Sequence, residues 1–80
     1  MNSWELFSEW MEKSGFFQGE LNRNQDLFDD IGWDDLDYVE ISQFLTEKLD
    51  FLIYDYEICE SITVDELIKT IDKLCEFHFK

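Results

Sequence analysis

The residues able to do chemistry crowd one stretch of this sequence. Asp26, Asp29, Asp30, Asp34, Asp35, Asp37 and Glu40 lie between Gln25 and Ile41. Carboxylates at that density suit a divalent cation, a general acid–base pair or a basic docking partner. The spacing is wrong for a calcium loop, because the first, third and fifth positions that match Gly32 are not all acidic: only the third, Asp29, is, and Leu27 and Ile31 hold the others. A loose, weak cation site is the most it offers, and no structural metal is expected. Twenty carboxylates place some side by side by chance, so proximity alone does not define an acid–base pair. His78 has no Cys or Ser at a catalytic spacing and reads as a solvated tail residue. There is no glycine-rich phosphate loop and no nucleophile with a base, so the chain reads as a non-enzyme.

Composition narrows the partner. The 80 residues carry 20 Asp+Glu against 6 Lys+Arg, a formal charge of -14. Nucleic-acid binding requires cations that displace condensed counterions, and an anionic membrane repels the same charge, so neither is expected as a partner. The hydrophobic share of 45% and the aromatic share of 18% are too high for a disordered acidic tail. No apolar run approaches the ~20 residues of a membrane span. The start, Met1 to Glu5, lacks the basic and apolar regions of a signal peptide. Cys59 and Cys75 fit reduced, partly buried thiols in a cytoplasmic protein better than a bridge. At this length residues 1–80 form a single small domain.

Zero prolines and three glycines favour helices joined by short polar loops. Ser3 suits a helix cap, with Trp4, Phe7, Trp10, Met11 and Ser14 at helical spacing and Gly15 at the end. Trp4 and Trp10 read as core residues of this first helix, from about Trp4 to Ser14. The long loop from Phe16 to Asp30 keeps no period, and Phe16, Phe17, Leu21, Leu27 and Phe28 read as its anchors in the core.

A second helix opens after Gly32-Trp33, with Asp34 as cap and Asp35 and Asp37 in the first turn, where carboxylates oppose the dipole. Tyr38, Ile41, Leu45 and Leu49 make its inward stripe. Asp50 to Ile53 connects to one or two helical turns within Tyr54 to Glu60. Thr63 and Glu66 fit a capping box for the last helix, with Ile62 and Leu67 as a staple. Its stripe, Leu67, Ile68, Ile71, Leu74 and Cys75, runs to about Phe77, and one of Phe77 and Phe79 is left for the surface. The fold class is all-α: a small bundle of three longer helices and one short one, with a long loop after helix one.

The run Asp30-Ile31-Gly32-Trp33-Asp34-Asp35-Leu36-Asp37-Tyr38-Val39-Glu40-Ile41 resembles the prosthetic-group site of acyl carrier proteins. That family shows acidic-Leu-Gly-x-Asp-Ser-Leu-x-x-Val-Glu-Leu at the start of its second helix. The resemblance covers roughly Gln25 to Leu74 and implies a four-helix bundle of acyl-carrier type. The family's serine, which receives phosphopantetheine, is here Asp35. A hydroxyl forms a stable phosphodiester. An aspartate is already an anion at neutral pH, a poor nucleophile towards a phosphate, and its product would be a labile acyl phosphate. Ser42 lies two turns further on and reads as an ordinary polar helix residue. The resemblance with this replacement implies a chain without phosphopantetheine or any other cofactor. A working carrier would need serine as the native residue at position 35, or an attachment point elsewhere.

What the resemblance retains is a docking surface for a basic partner enzyme: Asp34, Leu36, Asp37, Val39, Glu40 and Glu47, with Trp33 and Gln43 beside them. Gln43 stands where the family has an apolar residue, and Lys48 interrupts its acidic run. Leu36 and Val39 fall off the inward stripe and present apolar surface among acids, which suits a weak, electrostatically steered interface. Asp35 either stabilises the helix start or imitates the phosphate of a modified carrier. Trp33 either packs over the helix start or anchors a partner. The chain then reads as a monomeric interaction module of a fatty-acid, polyketide or related biosynthetic system. The rival reading is an acidic inhibitor or immunity protein that plugs the basic active site of a toxin or nuclease.

Overall fold

The computed structural model describes residues 2–15 and 19–78. Three α-helices follow one another: α1 Ser3–Ser14, α2 Asp35–Leu49 and α3 Val64–His78. The short element between α2 and α3 is a three-residue 3-10 turn, Asp55–Glu57, and not one or two α-helical turns. Among the described residues no strand forms, and Asp26 and Thr63 make an isolated antiparallel bridge. No described helix is long and apolar enough to cross a membrane.

The first helix is capped one residue earlier than its sequence suggests. The Asn2 side chain accepts the Glu5 N–H at 2.8 Å. Both Ser and Asn cap well. Ser3 is engaged elsewhere, buried and with its hydroxyl donating to the Asp72 carboxylate on α3. The second helix begins at the expected cap, and Tyr38, Ile41 and Leu45 of its stripe are fully buried, with Leu49 half-buried. It ends at Asp50, whose φ of 61° is left-handed, a conformation Asp tolerates better than most residues.

The third helix has the expected box. The Glu66 N–H donates to Thr63 Oγ1 at 3.2 Å, and the Thr63 N–H donates to Glu66 Oε1 at 3.3 Å. Ile62, the outer member of the expected staple, is half-exposed. The Ile62 carbonyl accepts the Leu27 N–H at 2.8 Å.

α1 packs against both α2 and α3, and α2 also packs against the 3-10 turn. Leu6, Phe7 and Met11 of α1 meet the α2 stripe and Val64, Leu67, Ile68 and Ile71 of α3 in one cluster. Trp4 and Trp10 only border it, half-buried. Leu27, Ile31, Trp33, Ile53 and Ile58 complete it from the connections. Of the loop anchors, Leu27 is buried, Leu21 is half-buried and Phe28 stays 43% exposed, its ring 5.8 Å from that of Tyr38. Phe16, Phe17 and Phe79 lie outside the described residues. Phe77 is exposed. Cys59 and Cys75 are free, and Cys59 is exposed rather than partly buried.

Candidate functional site

The acids before α2 spend much of their hydrogen-bonding capacity on the backbone. Asp26 Oδ1 accepts the N–H groups of Phe28 and Asp29 at 2.8 and 2.9 Å, and Asp30 Oδ2 accepts the Asp26 N–H at 2.7 Å. These are turns of the kind Asp side chains build by bonding locally. The same segment is tied to the start of α3, with the Val64 N–H on the Gln25 carbonyl and the Asp65 N–H on the Arg23 carbonyl. Among the described residues no three His, Cys, Asp or Glu side chains are grouped to hold a metal ion.

Gly32 then takes a φ of 87°, open to glycine and strained for other residues. The chain turns there, and Trp33 enters the core at 3% exposure. Its backbone N–H donates to the Leu27 carbonyl at 2.7 Å, and its ring lies edge-on to Tyr38 at 5.2 Å and tilted to Phe7 at 5.9 Å. Of its two readings, packing over the helix start is the one the structure bears out. Burial removes the Trp33 side chain from any partner surface.

The first turn of α2 is a reciprocal box. Asp34 Oδ1 accepts the N–H groups of Leu36 and Asp37, and Asp37 Oδ2 accepts the Asp34 N–H at 2.8 Å. Burial raises the Asp37 carboxyl from its ordinary value against the lowering pull of the Asp34 N–H, and the charges of Asp34 and Glu40 push upwards as well. The unfolded chain therefore releases this proton more easily than the folded one, and the ionised group costs stability until the pH falls below both values. Asp65 behaves oppositely. Hydrogen bonds from Lys69 and Arg23 lower it, so its contribution is lost only in stronger acid.

Salt and mild acid should thus both stabilise a chain with this charge excess. Melting followed by circular dichroism is expected to rise from low salt to ~0.5 M NaCl, and again as the pH falls from 7 into the range of about 4 where carboxylates take up protons. The rise is roughly 4–8 °C for each ~1 kcal/mol of repulsion relieved. A melting temperature indifferent to ionic strength contradicts this.

Asp35 differs from its neighbours. It is exposed at the first position of α2, and among the described residues no hydrogen bond or ion pair engages its carboxylate. Leu36 beside it is 61% exposed. Val39 is half-buried, while Glu40, Gln43 and Glu47 are exposed along the same helix. The sequence-derived set, Trp33 excepted, therefore lies together on the outward side of α2. No hydroxyl is available in its first turn for a phosphodiester. Ser42 is buried, and its hydroxyl donates to the Val39 carbonyl at 2.7 Å. At the start of α2 the described residues therefore offer phosphopantetheine no hydroxyl to attach to.

A groove not expected from the sequence lies beside this surface. About 430 Å³ in volume, it separates the outer side of α2 from residues 52–55, lined by Val39, Ser42, Gln43, Thr46 and Glu47 on the helix and by Leu52, Ile53, Tyr54 and Asp55 opposite. The Thr46 hydroxyl oxygen accepts the Ile53 N–H at 2.9 Å, which clamps the segment to the helix. Leu52, Tyr54 and Tyr56 recur at every second position of a segment with no sheet to bury them, and that pattern was the available signal. All three are exposed. His78, expected in solvent, is exposed but stacks on Phe51 at 4.0 Å between ring centroids.

No protein-family model matches the chain, and no curated protein matches it either.

Proposed function

We propose that this chain is a non-catalytic interaction module with an acyl-carrier-like helical arrangement, which holds no phosphopantetheine and docks a protein with a basic face through α2. The observation that supports this most is the start of α2. There an exposed Asp35, with no hydrogen bond or ion pair among the described residues, stands where the resemblance expects a serine, beside an exposed Leu36. Apolar side chains among unpaired acids favour steered, weak association. The same reading makes the chain a cytoplasmic monomer that meets a fatty-acid, polyketide or related biosynthetic enzyme.

Charge reversal tests it. Asp37 is a poor choice, because its carboxylate closes the capping box. Asp35 and Glu40 are exposed and hold no cap. The Asp35→Lys/Glu40→Lys variant is expected to slow association with a captured carrier-dependent enzyme by about tenfold at low salt, with a smaller effect at high salt. Unchanged kinetics in a biosensor experiment would count against the proposal.

One observation favours the rival reading of an acidic inhibitor. The few described cations are largely engaged: Arg23 and Lys69 with Asp65, Lys48 with Glu9, and Lys13 over the Phe44 ring. Among the described residues most carboxylates are left without a cationic partner, as an imitation of a polyanion requires. Recovery of a nuclease or toxin on the immobilised chain, rather than an acyl- or ketide-handling enzyme, would decide for it.

A further inference from the structure

We infer that the groove between α2 and residues 52–55 docks an arginine-bearing apolar segment of the protein partner. This rests on the proposal that the partner is a basic protein, and it adds where and by what chemistry the contact is anchored.

Three observations carry it. The first is shape: the groove is open, and the Thr46 hydroxyl bond to the Ile53 N–H fixes its two walls, so little ordering is needed on binding. The second is charge. Its charged lining residues are Glu47 and Asp55, with no lysine or arginine among the described residues that line it. The cations near α2 lie elsewhere, with Lys13 and Lys48 over Phe44 and Lys48 paired to Glu9. The third is the aromatic shelf. Tyr54 lines the groove and its ring stacks on Tyr56 at 5.2 Å and 15°, both rings exposed. An exposed tyrosine face beside carboxylates accepts a planar cation better than a compact ammonium. Val39, Leu52 and Ile53 supply apolar wall for the aliphatic part of the segment. A fatty acyl chain would fill the apolar wall but would leave both carboxylates without a counter-charge, so a cationic peptide matches the lining better.

The test is a titration of the full ¹⁵N-labelled chain with blocked hexapeptides of alternating leucine and arginine, leucine and lysine, or leucine and glutamate, and separately with octanoate. The arginine peptide is expected to shift the amides of Val39, Gln43, Glu47, Leu52 and Tyr54 and to bind more tightly than the lysine peptide. The glutamate peptide should give no shifts. Glu47→Gln/Asp55→Asn is expected to weaken the arginine peptide about five- to tenfold, the loss typical of two surface ion pairs. Tyr54→Leu should weaken it roughly two- to fivefold and narrow the preference for arginine.

Three results would overturn the inference: octanoate shifting these amides while the arginine peptide does not, peptide shifts confined to residues 34–37, or groove variants that leave peptide affinity unchanged. If the groove variants keep full affinity for a captured partner while Asp35→Lys/Glu40→Lys loses it, the inference fails and the parent proposal stands. If peptide binding at the groove holds and neither set of variants affects any carrier-dependent enzyme, the parent proposal fails instead.

Discussion

A phosphopantetheinyl transferase supplied with coenzyme A is expected to leave this chain unmodified and to load its Asp35→Ser variant. The contrast is between no reaction and conversion visible in an intact-mass spectrum, the largest functional change that one substitution can make here. Its basis is chemical. A serine hydroxyl attacks phosphorus and forms a stable phosphodiester, whereas an ionised carboxylate repels the phosphate and yields a labile mixed anhydride. The substitution is structurally mild. Asp34, not Asp35, caps α2, and the Asp34–Asp37 box does not involve position 35. Loss of a first-turn carboxylate removes only ~0.3–1 kcal/mol of dipole stabilisation. The surroundings a transferase would read, Leu36, Glu40 and Glu47, stay exposed. An adduct on the unaltered chain would make it a working carrier. A serine variant that remains unloaded would remove the main support for an acyl-carrier-like surface on α2.

How far the sequence discloses this depends on where the physics is local. Helix starts are local, and the Asp34 cap was readable as such, as was the Thr63 cap with Glu66 three residues on, though the reciprocal Asp37 contact was not read. So was the α2 stripe, because a helix buries what recurs at its own period. The cap of α1 was misplaced by one residue because Asn2 and Ser3 are equally good caps in isolation. What separates them is Asp72, far along the chain, which takes the Ser3 hydroxyl. Phe28 was assigned inward for its apolarity, yet it sits on a connection whose geometry is set by backbone pairing around Leu27 and Val64. The groove was not legible for the same reason. Its two walls come from different elements, and the Thr46–Ile53 bond that joins them follows no periodicity. Trp33 shows the limit from the other side. Its type suits either a core or an anchor, and only the turn at Gly32 decides.

Replacing Phe7 with alanine is expected to cost ~3–5 kcal/mol, the range for deleting a fully buried aromatic ring. Phe7 is completely inaccessible and stands where α1 meets the rest of the core, its ring near those of Trp4 on α1 and Trp33 on the loop. Trp33 in turn meets Tyr38 of α2, whose hydroxyl donates to the Ser61 carbonyl just before α3. Burial is the main force raising the Tyr38 hydroxyl to about 12, so it remains a neutral donor across the working pH range. Emptying the Phe7 site thus withdraws packing from the turn that delivers Asp34 and Asp35 to the surface. Total stability for 80 residues is roughly 4–12 kcal/mol. Phe7→Ala is therefore expected to lower the melting temperature by at least about 12 °C, or to unfold the chain outright at low salt. Phe77→Ala serves as the matched control. That ring is 78% exposed, and its loss is expected to stay within ~0.5 kcal/mol. Urea titrations of the two variants, followed by tryptophan emission and helical ellipticity, measure the difference. Equal midpoints would mean that the aromatic junction does not hold the loop against the helices, and α2 would then owe its position to α3 and the 3-10 turn instead.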